Sequence, residues 1–408
     1  MKILFLSPYL PWPPGGGPTL RIFGILKELS TRGHEVVLLA GHDGPALAPD
    51  SPLAKLCKRI EFYRPPSSSY RAHPVVAGLR TLLSPFPFVV AKYRSTEVRR
   101  AIRRELNNDT FDLIFAVVTF MADSIPPEFS AKLPVVVDEL ESEGLLWRQY
   151  VRQGNVLMKG FALLNLLKLV WFQKRLGTRI AAILCVSERE KKYARGFVPK
   201  HVAAWTVPNG VDADAYSSLL NLRPATKAII LCGVMGVYRN AQAALWFTRS
   251  IFPRVREEVP DAELWLVGAG PTEEVRALGS NPGVHVTGTV DDVRPYYQKA
   301  VVSVAPYRFG EGTKLKVLEA MACGVPIIST SIGCQGLDVV DGEHVLIANT
   351  EEDFAARVIA LFHDAPRRAK LASAARKLVE QKYTWKKIVD NLEPELRKLA
   401  EPHDGARV

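Results

Sequence analysis

The stretch that decides the fold runs from residue 301 to residue 330 and reads VVSVAPYRFGEGTKLKVLEAMACGVPIIST. A short apolar run leads through a loop with two glycines into an amphipathic pattern, and a second apolar run follows Gly-Val-Pro. Short apolar runs bounded by turn residues are typical of buried strands, and the pattern between them is typical of a helix. The stretch therefore predicts a strand, a loop at the carboxyl end of that strand, a helix and a second strand.

The rest of the chain repeats this rhythm in two series. The strand candidates are KILFLSP, HEVVLLA, RIEFYRP, FDLIFAV, LPVVVDE, RIAAILCVS and VAAWTVPNG in the first series, and AIILCGV, AELWLVGAG, GVHVTGTV, VVSVAPYR and PIISTSIG in the second. Because these segments are apolar at nearly every residue, we expect parallel strands that helices cover on both faces. The chain is predicted to be an α/β protein with two Rossmann-like, doubly wound domains facing each other across a cleft.

The polar segment NLRPATK at residues 221–227 separates the two series. We therefore place one domain at residues 1–220 and the second at residues 221–380. The tail, residues 381–408, carries the charged helical pattern YTWKKIVDNLEPELRKLA. We expect it to form a helix that packs back on the first domain.

Composition excludes several classes of protein. Of the 408 residues, 48% are apolar and 23% are charged, as in soluble globular proteins. No window is long and apolar enough to predict a membrane span, and the N-terminal run lacks the cleavage site of a signal peptide. The cysteines show no metal-binding spacing, which fits reduced thiols in a cytoplasmic protein without metal or other cofactor.

Positive charge is concentrated in the first half. Residues 1–220 hold 29 Lys and Arg against 19 Asp and Glu, whereas residues 221–408 hold 24 against 23. An excess of this kind predicts an anionic partner, such as nucleic acid, an anionic lipid surface or a phosphorylated substrate. No helix-turn-helix, RNA-recognition or zinc pattern supports nucleic acid, so we expect none to bind.

The loop and helix of the opening stretch carry four charges, Glu311, Lys314, Lys316 and Glu319, which could be no more than a solvated helix face. Their position at a strand's carboxyl end favours a ligand site. With Thr313 as helix cap, the bare amides near Gly312 and the two lysines would hold a diphosphate. The carboxylate of Glu319 could accept ribose hydroxyls, and Glu311 could bind a second sugar.

Glu311 and Glu319, followed by AMACGVPII, resemble the E-x7-E signature of the retaining GT-B glycosyltransferases, most closely family 4. A glycine-rich first loop, VSEREKKY, VPNGVD, LCGVMGVYRNAQAALWF, LWLVGAGP and VTGTVDDVRPYY occur in the family's usual order. The resemblance implies a hexosyltransferase-type enzyme whose second domain binds a nucleotide-diphosphate sugar and whose first domain binds a glycan or lipid-linked acceptor. It also implies retention at the anomeric carbon without a metal.

The chain departs from the family in two places. The usual Arg and Lys after the first strand of the second domain are replaced by GVYRN, so Arg239 is the substitute and Lys314 the better candidate for the diphosphate. The histidine that many relatives carry after the fifth strand is absent from VVVDELESEG. Asp138, Glu139 or Glu141 would have to serve the acceptor, and we take Asp138 first.

Two further segments of the first half allow two interpretations each. Gly15, Gly16 and Gly17 lie between a strand and a helix, where bare backbone approaches an anion, but a flexible turn has the same composition. The segment at residues 156–175 mixes apolar residues with lysines and arginine. It fits a helix on the cytoplasmic face of an anionic membrane, or a buried helix with snorkelling lysines.

An epimerase or sugar phosphorylase on the same architecture is the alternative enzyme.

Overall fold

The structure is a computed structural model that describes residues 1–45, 47–65, 81–153, 155–219 and 227–401. It divides into two compact units. The first consists of Met1–Pro208 with Ile388–Val408, and the second of Asn209–Lys387. Each unit has its own sheet and its own apolar core.

The described part of the first unit contains a parallel sheet in the order β3-β2-β1-β4-β5-β6-β7. Its strands are Lys2–Ser7 (β1), Glu35–Gly41 (β2), Arg59–Tyr63 (β3), Leu113–Val117 (β4), Val135–Glu139 (β5), Ala182–Cys185 (β6) and Ala203–Thr206 (β7). The central strands are buried along their whole length because helices cover both faces. The strand order reverses between β1 and β4, which makes a topological switch point there.

Helices lie between these strands along the chain, as the crossover connections of a parallel sheet require. They are Gly17–Thr31 (α1), Pro52–Leu56 (α2), Phe88–Tyr93 (α3), Thr96–Asn108 (α4), Thr119–Ser124 (α5), Pro127–Ser130 (α6), Glu143–Gln153 (α7), Val156–Gly177 (α8) and Glu188–Ala194 (α9). Serine caps fix several starts: the hydroxyl of Ser187 accepts a hydrogen bond from the amide of Glu190 and begins α9.

The second unit repeats the architecture with the strand order β10-β9-β8-β11-β12-β13 in its described part. The strands are Ala228–Cys232 (β8), Glu263–Val267 (β9), Val284–Gly288 (β10), Ala300–Ala305 (β11), Ile327–Ser329 (β12) and Leu346–Ile347 (β13). All described pairings are parallel. The switch point of this second sheet lies between β8 and β11. The predicted fold class of two Rossmann-like α/β domains is confirmed.

The helices of the second unit follow the same alternation. They are Tyr238–Trp246 (α10), Phe252–Glu258 (α11), Glu273–Ala277 (α12), Arg294–Lys299 (α13), Leu315–Ala322 (α14), Glu351–His363 (α15) and Ala365–Leu378 (α16), with 3₁₀ turns at Ala213–Leu219 and Leu278–Ser280 and π turns at Phe247–Ile251 and Val379–Tyr383. The tail helix, Trp385–Ala400 (α17), crosses from the second unit into the first at Ile388.

The chain enters the second unit earlier than the sequence predicts. The amide of Val211 donates to the carbonyl of Tyr383 at 2.8 Å, and the guanidinium of Arg376 donates to the carbonyl of Ala213 at 2.9 Å. These partners lie far along the chain, so local composition does not reveal them. The predicted boundary at residues 220 and 221 lies outside the described residues.

The tail helix α17 contacts the first unit through its acidic face. Glu393 of α17 accepts hydrogen bonds from Arg32 at 3.1 Å and pairs with the ring of His34 at 3.0 Å. Although burial opposes ionisation, hydrogen bonds from Arg397, Arg32 and His34 lower the pKa of Glu393 to about 2. His34 thus has a structural role, and the tail is an integral part of the first unit.

Candidate active site

The loop between β11 and α14 lies at the switch point of the second sheet, beside the loop that follows β8. Two of its residues need to be glycine, because Gly310 and Gly312 have φ values of 117° and 74°. A Cβ built on Gly310 would also lie 3.3 Å from Cδ of Arg239. The glycines therefore bring bare backbone and the Arg239 side chain together, as the sequence predicts for a ligand loop.

Thr313 is not the cap of α14, contrary to the prediction. The N-cap residue is Lys314, and no side chain caps the helix. The hydroxyl oxygen of Thr313 instead accepts a hydrogen bond from Nδ2 of Asn209 at 2.6 Å. Since Asn209 supplies this donor from another part of the unit, Thr313 anchors the loop and does not cap the first turn of α14.

Lys314 serves the loop itself. Its side chain is only 5% exposed, and Nζ donates to the backbone oxygens of Glu311 at 2.7 Å and Gly312 at 2.9 Å. Buried carbonyls need hydrogen-bond donors, and Lys314 supplies one to each of these two. The geometry therefore gives Lys314 a loop-shaping task, whereas the sequence favours it as the main diphosphate ligand.

Lys316 reaches back from α14 to the carboxyl end of β8. Nζ of Lys316 lies 2.9 Å from Oδ1 of Asn240 and 5.0 Å from the ring centre of Tyr307. A Cβ built on Gly233, the first residue after β8, would lie 2.8 Å from the same nitrogen. The ammonium thus stands next to the loop in which the family's usual lysine is missing.

Glu319 follows Lys316 by one turn of α14 and is partly buried. Burial raises the pKa of Glu319, and the positive charge of Lys316 partly offsets that effect. Within the described residues we find no hydrogen-bond donor for this carboxylate. It is therefore available to accept hydroxyl groups from a ligand.

Glu311 lies in the loop, and its carboxylate contacts Gln335, which follows β12 in the chain. Its side chain is 5% exposed, and Oε2 accepts a hydrogen bond from Nε2 of Gln335 at 3.0 Å. Asn240 and Tyr307 are joined by a hydrogen bond of 3.2 Å. Neither they nor Gln335 were chosen from the sequence, although Asn240 directly follows Arg239 in the GVYRN segment.

The predicted ligand contacts in the first unit are only partly available. Oγ1 of Thr19 accepts hydrogen bonds from the amides of Gly15 and Gly16, both at 3.1 Å. The loop itself thus occupies the Gly16 amide. Gly17 is the first residue of α1, and Pro18 after it has no N–H. A ligand contact at Gly16 or Gly17 stays a prediction.

Asp138 does not face a ligand, and the predicted acceptor role is not supported. Its side chain is fully buried at the end of β5, where both carboxylate oxygens accept hydrogen bonds from Nε of Arg21 at 2.9 and 3.1 Å. Nη2 of Arg21 adds a third bond at 2.6 Å. The pair is a buried structural ion pair, which the distance of 117 residues along the chain concealed.

We expect binding of a diphosphate to weaken as pH rises through about 8. Burial, followed by the charge of Arg239, lowers the pKa of Lys316 to about 8. The ammonium is charged below that pH and neutral above it, so its attraction for phosphate is lost on the alkaline side. Calorimetric titration of UDP at about pH 7 and about pH 9 measures the change.

The matched variant for this titration is Lys316→Arg, because a guanidinium stays protonated over the whole range. Its UDP affinity should vary less with pH than that of the wild type. Equal pH dependence in the two proteins would assign the titration to another group.

Two family models match the chain. The Glycosyl transferase 4-like domain matches residues 16–210, and Glycosyl transferases group 1 matches residues 226–364. An uncharacterized 44.6 kDa protein of the cps region of Klebsiella pneumoniae is 23% identical over 406 residues, or 96% of this chain and 98% of that protein. The phosphatidyl-myo-inositol mannosyltransferase of Mycobacterium tuberculosis strain H37Rv is 23% identical over 354 residues, or 84% of this chain and 81% of that protein.

Solved structures share the fold at lower identity. Sucrose-phosphate synthase of Thermosynechococcus elongatus superposes with a TM-score of 0.69 at 18% identity, covering 98% of this chain and 99% of that chain. HepE of Anabaena in complex with UDP and glucose gives 0.65 at 17% identity, covering 98% and 100%. Since the two models span both units and the fold matches, the chain belongs to the glycosyl transferases group 1 family and is a glycosyltransferase of the GT-B fold.

Proposed function

We propose that this glycosyltransferase moves a sugar from a nucleotide-diphosphate sugar to a glycan or lipid-linked acceptor with retention of the anomeric configuration. One observation carries the proposal: Lys316, Arg239 and the carboxylate of Glu319 converge at the switch point of the second sheet. Cations suit a diphosphate, and a carboxylate without an internal donor suits ribose hydroxyls.

In the step that we propose, the bond between the anomeric carbon and the donor's phosphate oxygen breaks. The hydroxyl oxygen of the acceptor forms the new bond on the same face, and its proton passes to an oxygen of the leaving diphosphate. Negative charge grows on that diphosphate during the step, so Lys316 and Arg239 act where charge develops. Glu311 positions the transferred sugar, and no protein nucleophile or metal is required.

The relatives supply chemical precedents for both substrates. HepE was solved with UDP-glucose as well as with UDP and glucose. A relative from Mycolicibacterium smegmatis is named as a GDP-mannose-dependent mannosyltransferase that acts on a phosphatidylinositol monomannoside. For this chain we accordingly propose a UDP- or GDP-linked hexose as donor and a lipid-linked or polysaccharide acceptor.

The proposal is tested by screening UDP- and GDP-linked hexoses for thermal stabilisation and then for transfer to octyl glycosides. A donor at 100 times its Kd is expected to add about 2.7 kcal/mol of stability. The anomeric configuration of the product, read by NMR, must equal that of the donor. Inversion would contradict retention, and turnover of the donor that gives an epimer or a sugar phosphate would indicate the alternative enzymes.

The long helix α8 has two faces of different character. Ala162, Leu169, Phe172 and Leu176 are buried in the core of the first unit. On the opposite side Leu163, Leu167 and Trp171 are 53%, 65% and 50% exposed. At the start of the helix Val156 and Leu157 are 85% and 86% exposed. The inner face fits the interpretation as a buried helix, and we assign the membrane interpretation to the outer face. We call the outer side, with Val156, Leu157, Leu163, Leu167 and Trp171, the apolar face of α8.

Charge surrounds the apolar face of α8. Lys159, Lys174 and Arg175 are exposed, and no acidic residue occurs between Glu143 and Glu188. By length and composition α8 is the single described helix that could cross a membrane, with 28% of its apolar window buried. Since its inner face packs in a core, we propose that the outer face lies on the anionic cytoplasmic surface of a membrane and brings the enzyme to a lipid-linked acceptor.

We expect Leu163→Glu with Leu167→Glu to reduce binding to phosphatidylglycerol-containing vesicles by about 10-fold or more, because two apolar contacts are replaced by like charges. Sedimentation at low salt measures the bound fraction. Val340→Glu is the matched control, since Val340 is a similarly exposed residue of the second unit at 52%. Wild-type protein that stays in the supernatant would end the membrane proposal and leave the transferase proposal intact.

A further inference from the structure

The segment that follows β12 lies beside the loop that contains Glu311. It runs from Thr330 to Leu337 and reads TSIGCQGL. Because β12 pairs with β11 in parallel, the residues that follow these two strands meet at the same edge of the second sheet. We call residues 330–337 the β12 loop.

The β12 loop is tied at its start to the end of β11. The amide of Thr330 donates to the carbonyl of Ala305 at 3.2 Å, and the hydroxyl of Thr330 donates to the carbonyl of Tyr307 at 2.5 Å. A Cβ built on Gly333 would lie 2.4 Å from the carbonyl oxygen of Ala305. Only glycine therefore allows the β12 loop to approach the end of β11 this closely.

Successive turns then place Gln335. The amide of Gly333 donates to the carbonyl of Thr330 at 3.0 Å, and the amide of Gln335 donates to the carbonyl of Ile332 at 3.3 Å. From this position Nε2 of Gln335 donates to Oε2 of Glu311 at 3.0 Å. The contact joins two side chains that are 24 residues apart in the chain.

The loop around Glu311 is fixed mainly through its backbone. Gly310 and Gly312 flank Glu311, and both have positive φ, so the local sequence gives this part of the loop little stiffness of its own. Lys314 supplies stiffness by donating to the backbone oxygens of Glu311 and Gly312. These bonds fix the main chain, whereas the hydrogen bond from Gln335 acts on the carboxylate itself.

The Gln335 bond is not needed to hold the two loops together. Thr330 already joins them through its bonds to Ala305 and Tyr307, and neither of these bonds involves Glu311. What the amide of Gln335 adds is an oriented donor to a carboxylate that is 5% exposed. A hydrogen bond to a charged group in such a place contributes more than one between neutral groups, so it has a strong effect on where the carboxylate points.

We propose that Gln335 is a positioning residue that holds the carboxylate of Glu311 in the orientation in which it binds hydroxyl groups of the transferred sugar. The inference rests on the transferase function proposed above and deepens it. It assigns recognition of the sugar to a pair of side chains from two loops, and it leaves the diphosphate to Lys316 and Arg239. Gln335 thus affects the sugar only through Glu311.

The test compares ligands that differ only by the sugar. Calorimetric titration with UDP-glucose, UDP-galactose and GDP-mannose, and with UDP and GDP alone, is carried out on wild-type protein and on Gln335→Met. The substitution keeps the length of the side chain and removes its amide. Affinity for the nucleotide sugar that wild-type protein binds should fall by about 10-fold, because the Glu311 carboxylate loses its oriented donor. Affinity for the matching nucleotide diphosphate should change by less than about 2-fold.

A double-mutant cycle shows whether Gln335 acts through Glu311. Glu311→Gln alone should weaken binding of the nucleotide sugar, because it removes the charged acceptor of the sugar hydroxyls. Adding Gln335→Met to this variant should then cause little further loss, since the carboxylate that Gln335 orients is no longer present. Additive losses would mean that Gln335 does not act through Glu311 and would contradict the positioning role.

The matched control is Asn349→Ala, which removes a different amide that holds the same β12 loop. The amide of Ser331 donates to Oδ1 of Asn349 at 3.0 Å, and Nδ2 of Asn349 donates to the hydroxyl of Ser331 at 2.9 Å. Loss of these two bonds should lower the melting temperature at least as much as Gln335→Met does. The ratio of the affinities for nucleotide sugar and nucleotide diphosphate should stay that of the wild type.

The outcomes separate this inference from the transferase proposal. Equal loss of affinity for both ligands in Gln335→Met indicates a structural role, and unchanged affinity for both indicates none. Either result overturns the positioning role, while donor binding and transfer by the wild type still stand. If wild-type protein binds none of the nucleotide sugars, the proposed function and the positioning role are overturned together.

Discussion

Replacing Lys316 with alanine is expected to lower kcat by about 10²- to 10³-fold, which corresponds to roughly 2.7–4 kcal/mol of transition-state stabilisation. Its ammonium stands at the loop after β8, 2.9 Å from Asn240, where the family's usual lysine is absent. Negative charge develops on the leaving diphosphate in this part of the site. Loss of the Lys316 ammonium should therefore lower kcat more than it weakens the binding of the nucleotide sugar. Steady-state kinetics at saturating nucleotide sugar measure kcat directly.

The matched control is Lys227→Ala. Lys227 belongs to the same unit, is half-exposed and pairs with Asp261 on the surface at 2.8 Å, so its removal should leave kcat unchanged. Lys314→Ala provides a contrast, since it removes hydrogen bonds to two loop carbonyls and should lower stability as well as activity. A Lys316→Ala enzyme with full kcat and wild-type melting would contradict the proposed role.

Replacing Asp138 with alanine is expected to destabilise the protein by about 3–5 kcal/mol, because it leaves a buried guanidinium without its counter-charge. The side chains of Arg21 and Asp138 are 1% and 0% exposed, so water cannot replace the lost partner. The loss should be seen in chemical denaturation as a lower midpoint for the transition of the first unit. Donor binding by the second unit should persist at denaturant concentrations below that midpoint.

Two comparisons make this result specific. Arg21→Met combined with Asp138→Leu removes both charges and should recover most of the lost stability. Glu128→Ala breaks the exposed pair with Arg103, whose side chains are 53% and 51% exposed, and should cost about 1 kcal/mol or less. If Asp138→Ala unfolds at the wild-type midpoint, the pair is not the structural element inferred here.

The strands were predictable because a strand that is buried on both faces has apolar residues at nearly every position. Every predicted strand segment contains a strand, including the runs on either side of the opening loop. β13 was missed because Leu346–Ile347 is too short for any pattern to show. Gly310 and Gly312 were recognisable as loop residues, and the family signature made Glu319 a candidate site residue, which stays a prediction.

What escaped prediction depends on partners distant in the sequence. Thr313 has the local character of a cap, but its hydroxyl is used by Asn209, 104 residues earlier. The position of Lys316 next to Asn240 joins residues 76 apart, and the family pattern drew attention to Lys314 instead. Glu139 and Asp138 are adjacent and chemically alike. Only the structure shows that Arg21 forms its ion pair with Asp138 and not with Glu139.

The first unit is built from two separate pieces of chain. The polypeptide leaves it after Pro208, completes the whole second unit, and returns at Ile388 with the helix whose Glu393 binds Arg32 and His34. During synthesis the second unit can therefore finish first, while the earlier-made sheet must wait for its closing helix. A hybrid enzyme designed to change the nucleotide-sugar preference should accordingly exchange residues 209–387 as an internal segment. Exchange of everything after Pro208 would also replace the tail helix, which belongs to the first unit.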